Sequence, residues 1–178
     1  SSAIRWLLSH ACRLELIWDG DASSAGMPST VFYKKVTLGD LDYARTKAVT
    51  QPMKIARDVK SAGVEAAFLA CEPVASALAA AGVRVPRCFN ADLRPREDDP
   101  IESAFALLLE DFAPGQGWRS ERLLSPSQAR ASLTALARLH ATFMPAAAAA
   151  RTEGEPGDDS LLAGAAAAIW PSGAYWQP

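Results

Sequence analysis

Residues 103–117 of this chain read SAFALLLEDFAPGQG. An apolar run ends there at two adjacent carboxylates, Glu110 and Asp111, and a Pro-Gly-Gln-Gly segment follows. Short apolar runs bounded by Gly and Pro are typical of buried strands. The stretch therefore predicts a buried strand over residues 104–109 that leads into exposed backbone at a crossing between two lobes. Residues before the crossing have a strand-rich pattern, and residues after it have a helical one.

Composition limits the class of protein. The chain has 178 residues, a length typical of one domain or slightly more. Hydrophobic residues make up 49% of it, enough for a real core, although many are Ala and bury little area each. The formal net charge of −2 argues against a polyanionic partner. We therefore expect no nucleic-acid partner.

The cysteines and the first residues bear on the compartment. Cys12, Cys71 and Cys88 are odd in number and far apart, which favours reduced intracellular thiols over disulfides or a metal site. The chain lacks a signal-sequence pattern, and no apolar run approaches the roughly 20 residues of a membrane helix. We expect a soluble, cytoplasmic chain without a membrane partner. Because it starts without Met and ends abruptly at Pro178, we also expect a fragment.

Three further segments have an extended pattern. Residues 13–18 (RLELIW) alternate apolar and charged side chains, and residues 30–38 (TVFYKKVTL) are rich in β-branched and aromatic ones. These two segments predict antiparallel strands joined by a Gly- and Ser-rich loop. Residues 83–89 predict a short extended piece in which Pro86 excludes a central position in the sheet.

Helical periodicity appears on both sides of the crossing. Pro52 opens a segment with apolar residues at helical spacing that continues to Ala70. Pro73 predicts a break, after which residues 75–81 are again helical until Gly82 ends them.

Beyond the crossing, Ser125 and Gln128 flank Pro126 in the pattern of a helix capping box. We expect residues 145–160 to form an insertion and residues 161–170 a last short helix. The helix that the capping box begins should bury one apolar stripe, made of Ala129, Leu133, Leu136, Ala137, His140, Phe143 and Met144.

Five short motifs occur in a recognisable order. They are VFYK at 31–34, VEAAF at 64–68, VRVPRCF at 83–89, LLLEDF at 107–112 and LARLHA at 136–141. This order resembles the small-molecule kinases of the aminoglycoside phosphotransferase, choline kinase and ecdysteroid-kinase-like group, over roughly residues 5 to 144. The resemblance implies an α+β fold: a protein-kinase-like N-lobe with an antiparallel sheet and a helix, then a hinge and the first helices of a truncated C-lobe. The implied domains are residues 1–112 and 113–178.

The resemblance gives Lys34 and Glu65 specific roles. Lys34 would contact the α- and β-phosphates of ATP, and Glu65 would pair with it and hold its side chain. Lys35 is the rival, because neighbouring strand residues face opposite ways. The alternative is that both lysines are solvated residues of an edge strand and that Glu65 is an ordinary surface residue of its helix.

The resemblance also implies how the crossing would hold adenine. The carbonyl of Glu110 and the amide of Phe112 would meet the adenine edge, with Asp111 at the mouth of the site. The alternative is that Glu110 and Asp111 are only the polar end of a strand and bind no ligand. Residues 1–10 contain no glycine, so a glycine-rich phosphate loop is missing there, and Ser9 is the residue that could cover the phosphates instead.

The chain lacks the catalytic motif of the group. Phosphoryl transfer there uses His-Gly-Asp followed by Asn and by an Asp that binds Mg²⁺. His10 and His140 are the two histidines, and neither precedes Gly-Asp. We therefore name no catalytic residue and no metal ligand in this chain. His140 is expected to be a packed helix residue, and the Asp158-Asp159 pair has little support as a metal site.

The sequence thus favours the ATP-binding, N-terminal part of a small-molecule kinase. The whole protein would use ATP and Mg²⁺ to phosphorylate a hydroxyl of a small substrate, with the Mg²⁺ ligands outside this chain. One alternative is a non-catalytic nucleotide-binding or scaffold module with a kinase-like lobe. Another is an interaction protein of unrelated α+β architecture, in which Lys34 and Glu65 are ordinary surface charges.

Overall fold

The computed structural model describes residues 4–6, 9–19 and 26–149. In these residues, five strands form one antiparallel sheet in the order β1-β2-β3-β5-β4. The strands are β1 (Ile4–Trp6), β2 (Ser9–Glu15), β3 (Thr30–Thr37), β4 (Cys88–Arg94) and β5 (Ala104–Glu110). The main helices are α1 (Asp42–Thr50), α2 (Pro52–Ala70), α3 (Glu72–Ala80) and α4 (Pro126–Ala149). The predicted α+β class is confirmed.

Helix α2 packs on one face of the sheet, here called the inner face. Strand side chains alternate between the two faces, and the buried residues of β5 are Phe105, Leu107 and Leu109. They form one core with Ile55 and Val59 of α2. Because β3 pairs with β5 in antiparallel register, the inner face also carries Phe32, Lys34 and Val36.

Glycine allows α2 to approach the sheet closely. A Cβ atom at Gly63 would lie 3.4 Å from the ring of Phe105, tighter than most such contacts. Ala66, on the next turn, is 1% exposed. Small side chains on this part of α2 therefore bring the helix backbone near β5.

Helix α3 follows α2 after a bend of 63° at the break that Pro73 predicted. It ends in a Schellman motif: the amide of Val83 donates to the carbonyl of Leu78 at 2.8 Å, and that of Gly82 to Ala79 at 3.0 Å. Gly82 has φ +70, a conformation that favours glycine. Leu78 and Val83 also pack together with Val74 in a second small core.

The strand predictions need three corrections. Strand β2 spans Ser9–Glu15 and not 13–18, because the charged alternation of 13–18 continues past the last residue that pairs with β3. The extended piece at 83–89 pairs only from Cys88 onward, as the edge strand β4, since Pro86 precedes the ladder. Strand β1 and helix α1 were not predicted; α1 buries little apolar surface apart from Ala44.

The predicted capping box of α4 is confirmed. The amide of Ser125 donates to Oε1 of Gln128 at 2.8 Å, and the amide of Gln128 donates to Oγ of Ser125 at 3.3 Å. The helix continues through Ala149 and so includes the first residues of the segment expected to be an insertion, 145–160. The rest of that insertion and the helix predicted at 161–170 lie outside the described residues.

The predicted apolar stripe of α4 is largely wrong. Leu133 is 65% exposed, and His140 is also exposed, contrary to its predicted packing. The side chains of α4 that pack on the small core of α3 are Leu139 and Phe143, four residues apart on one helix face. This face of α4 is the packed one because it is the face that lies against α3.

Membrane-spanning potential was assessed over the described helices. Taken singly, none of them has the length and apolar character to cross a bilayer, although the bent pair of α2 and α3 together meets that criterion.

The small core under α3 should contribute substantially to stability. Leu78 is fully buried, so Leu78→Ala removes buried apolar atoms and leaves a cavity. We expect a loss of about 2 to 5 kcal/mol in the free energy of unfolding. The exposed Leu133→Ala is the matched control, with an expected change below about 0.5 kcal/mol. Urea unfolding of both variants checks this, and equal losses would contradict the described packing.

Candidate functional site

A cavity of about 720 Å³ opens between the inner face of the sheet and the C-terminal half of α2. Strands β2, β3 and β5 supply its wall, and the residues that follow β5 close one end. The lining residues are Ser9, Ala11, Arg13, Phe32, Lys34, Glu65, Leu69, Pro86, Leu109, Glu110, Asp111 and Phe112. The five residues predicted for a nucleotide site are all among them.

Lys34 and Glu65 form an ion pair in this cavity. The Lys34 Nζ atom donates to both carboxylate oxygens of Glu65, each at 2.6 Å. The Lys34 side chain is 23% exposed and that of Glu65 is 46% exposed. The pair lies between β3 and α2, which are adjacent because of the close packing at Gly63. The predicted contact between strand lysine and helix carboxylate is therefore present.

Lys35 lies on the other face of the sheet. Successive strand residues point to opposite faces, and Lys34 shares the inner face with Phe32. The Nζ atom of Lys35 is 3.9 Å from Asp40, and both side chains are largely exposed. Of these two lysines, Lys34 is therefore the one that lines the cavity.

The middle of the cavity is apolar. Its wall includes Ala11 of β2, Phe32 of β3 and Leu109 of β5, with Leu69 of α2 facing the strands. Phe32 and Leu109 are direct partners across the β3–β5 ladder. Next to the Lys34–Glu65 pair, the cavity thus offers a surface on which a flat, weakly polar group could pack.

The resemblance implied that Asp111 lies at the mouth of the site, but in the structure its side chain is buried. It is 3% exposed, and its carboxylate accepts two hydrogen bonds from Arg13, one from Nη2 at 2.9 Å and one from Nε. Burial of a carboxylate is costly unless it is paired and hydrogen-bonded. The guanidinium of Arg13 supplies both requirements, so the Asp111 side chain is drawn inward toward the strands.

This environment shifts the pKa of Asp111. The hydrogen bonds from Arg13 are the largest cause and lower the pKa of the carboxyl below its ordinary value. Burial opposes this effect, while a hydrogen bond from Thr30 and the charge of Arg13 add to it. Asp111 is therefore ionised at neutral pH.

Residues 110–112, here called the crossing segment, are held on their outer side as well. Arg84 forms an ion pair with the carboxylate of Glu110, and the amide of Arg87 donates to Oε2 of Glu110 at 3.2 Å. The amide of Glu110 in turn donates to the carbonyl of Arg87 at 2.7 Å. The strand end is thus tied to the piece that precedes β4.

Aromatic stacking orders the end of the crossing segment. The rings of Phe112 and Trp118 stack with centroids 4.2 Å apart and planes inclined by 15°. The guanidinium of Arg84 lies over the ring of Phe112, 5.5 Å from its centroid. Gly117, with φ +87, lets the chain turn so that Trp118 returns to Phe112.

Some residues of the site were not identified from the sequence. Arg13 and Arg84 pair with the two carboxylates of the crossing segment, yet the sequence assigned no role to either arginine, although Arg84 lies within the VRVPRCF motif. Ser9, which the sequence named as the residue that could cover the phosphates, lies at the first position of β2 and lines the cavity. Within the described ranges, no three His, Cys, Asp or Glu side chains gather as they would around a metal ion.

Comparisons with known proteins add no relative. No protein-family model, no curated protein and no solved structure matches this chain.

The buried carboxylate of Asp111 should make the stability of the fold depend on pH. A carboxyl whose pKa is lower in the folded state stabilises the fold above its unfolded pKa, about 3.9, and loses this effect as pH falls through its folded pKa. We expect Asp111→Asn to lower the melting temperature at pH 7 and to differ progressively less from the parent chain below about pH 4.

Thermal unfolding followed by circular dichroism between pH 2.5 and 7 measures both effects. Asp98→Asn is the control, because Asp98 also pairs with an arginine, Arg96, but has a 71% exposed side chain. Its effect should be small at every pH, since solvent screens exposed ion pairs. A difference between Asp111→Asn and the parent chain that does not change with pH would contradict the role given to the Asp111 charge.

Proposed function

We propose that this chain is the ATP-binding part of a small-molecule kinase, an enzyme that transfers the γ-phosphate of ATP to a hydroxyl of a small substrate. The observation that carries the proposal is the Lys34–Glu65 ion pair, 2.6 Å long, at one side of an apolar cavity that ends at the crossing segment. The resemblance read from the order of five sequence motifs points to the same activity.

The cation supports a role in binding phosphate. A triphosphate carries several negative charges, and a lysine near it offsets part of that charge. Lysine has a long flexible side chain, so a partner is needed to hold its ammonium in one place. Glu65 accepts from Lys34 with both oxygens and lies on the opposite wall, on α2. The pair therefore presents a positioned cation to the cavity.

The rest of the cavity has a size and chemistry suited to a nucleoside. Its volume of about 720 Å³ lies within the roughly 300 to 1,000 Å³ of small-molecule sites. An adenine ring would pack on the apolar face formed by Ala11, Phe32 and Leu109. Its polar edge would then face the backbone of the crossing segment, where carbonyl and amide groups of Glu110 and Phe112 are the proposed partners.

The architecture agrees with this placement. Lys34 lies on β3, the central strand of the sheet, Glu65 lies on the long helix α2, and the crossing segment begins at the end of β5, the strand that pairs with β3. The lysine and the glutamate are 31 residues apart in the chain and meet in the cavity. An interaction protein in which both are unrelated surface charges gives no reason for that meeting.

We propose that this chain binds ATP and that residues of the whole protein outside this chain catalyse phosphoryl transfer. The chain contains no His-Gly-Asp, and neither of its histidines, His10 and His140, lines the cavity. When bound, Mg²⁺ would neutralise charge on the β- and γ-phosphates. In this chain, Lys34 and Glu65 would position the phosphates, and the crossing segment would orient the base.

Titration of the chain with ATP tests the role of Lys34. We expect Lys34→Ala to weaken ATP binding about tenfold or more, because a hydrogen bond to a charged group contributes about 1.5 to 3 kcal/mol. Lys35→Ala is a closely matched control, since it removes the same side chain one position along the same strand but on the other face. Isothermal titration calorimetry gives both affinities. Equal weakening by both substitutions, or no binding by the parent chain, would overturn the proposal.

The dependence on Mg²⁺ distinguishes a kinase part from a non-catalytic module. For the proposed kinase, the full-length protein should transfer the γ-phosphate of ATP to a hydroxyl compound only with Mg²⁺, and Lys34→Ala should abolish the transfer. ATP binding that is unaffected by Mg²⁺, with no transfer by the full-length protein, would instead identify a nucleotide-binding scaffold. A radiolabelled γ-phosphate assay with and without a chelator measures the difference.

A further inference from the structure

The ion pair of Arg13 and Asp111 joins two segments that are not neighbours in the sheet. Arg13 is on β2, directly opposite Phe32 of β3, and Phe32 is opposite Leu109 of β5. Asp111 follows β5 on the face that Leu109 shares. Adjacent strands are about 4.8 Å apart, so the two side chains reach each other across the full width of β3. The pair therefore connects β2 directly to the crossing segment.

Within this pair the carboxylate is the buried partner. The Asp111 side chain is 2% exposed and that of Arg13 is 43% exposed, whereas the carboxylates paired with Lys34, Lys35, Arg45, Arg84, Arg94 and Arg96 are between 26% and 71% exposed. A buried carboxylate that loses its partner keeps the full cost of its desolvation. Arg13 therefore holds Asp111 in a position that the carboxylate would not keep alone.

Both partners line the cavity, at the end opposite the Lys34–Glu65 pair along β3. Strand β2 also carries Ser9 and Ala11 to the cavity wall, and Asp111 lies between the two crossing-segment residues proposed to meet adenine. A link at this point controls the distance between the β2 wall and the backbone of the crossing segment.

We propose that the Arg13–Asp111 pair is a latch that holds the β2 wall against the crossing segment, which makes Arg13 a positioning residue for the purine base of the bound nucleotide. The inference rests on the proposed function for the identity of the ligand. The geometry of the latch itself does not depend on any ligand.

Loss of the Arg13–Asp111 pair should mainly shorten the lifetime of the complex with the nucleotide. Without the pair, β2 and the crossing segment are joined only through β3, so the wall that covers the base separates more readily. A looser wall lets the base leave faster, while the Lys34 cation that attracts the phosphates is unchanged. We therefore expect Arg13 variants to raise the dissociation rate more than they lower the association rate.

Stopped-flow measurements with a fluorescent ATP analogue test this expectation. Arg13→Gln and Asp111→Asn should each raise the dissociation rate about tenfold, and the double variant should be no worse than either alone, because both remove one interaction. Arg13→Lys keeps the charge but loses the bidentate geometry, and it should restore part of the effect. Arg45→Gln is the control: Arg45 pairs with Glu102 at 3.0 Å, and neither lines the cavity. Additive effects of Arg13→Gln and Asp111→Asn would overturn the latch.

Hydrogen exchange without nucleotide separates the latch from the proposed function. Amides of β2 and of residues 110–113 should exchange faster in Arg13→Gln and in the milder Arg13→Lys, while those of α3 should not change. Unchanged exchange in β2 and the crossing segment would overturn the latch whatever the chain binds. Faster exchange with unaltered nucleotide dissociation would overturn the positioning role. If the parent chain binds no ATP, the proposed function and the positioning role both fail, and exchange alone decides the latch.

Discussion

The packing of α2 on the inner face of β3 and β5 is the contact on which the rest of the structure depends. Small residues allow the approach, since a side chain at Gly63 would press on the ring of Phe105. Burial of the apolar face of β5 supplies the favourable free energy. With the helix at this distance, Glu65 on its exposed side reaches Lys34 on β3, and the space left beyond the core residues becomes the cavity.

The charges of the cavity are arranged so that each has a partner. Lys34 is paired across the cavity wall, Asp111 is paired across β3, and Glu110 is paired on the outer side of the crossing segment. Partnered charges tolerate partial burial, whereas a lone charge would draw in water or change its protonation state. The cavity therefore combines an apolar middle with polar ends, an arrangement that suits a ligand with a flat base at one end and an anionic group at the other.

Sequence reasoning predicted the local parts of this site well. The apolar run of β5 ends at Glu110, and the capping box at Ser125 begins α4, as expected. Alternation along β3 predicted that Lys34 and Lys35 face opposite ways, but the strand register was needed to show which of them lines the cavity. Sequence reasoning was less successful for elements whose apolar residues do not form a clear periodic pattern, or whose packed face is set by a neighbouring element. Helix α1 has a low apolar content, and the packed face of α4 depends on where α3 lies, so Leu139 was missed.

The sequence by itself determined the class of fold and the approximate positions of β3, β5, α2, α3 and the start of α4, because these follow from periodicity, turn residues and caps along the chain. The residues expected to meet in the cavity were named from the resemblance to a family and not from those patterns. Only the tertiary structure decided that Asp111 turns inward to Arg13 and that Arg84 holds Glu110. The first pair joins residues 98 positions apart, and its contact requires three strands in one particular register. No pattern within one segment carries that information, since the register is set by the burial of the whole sheet face.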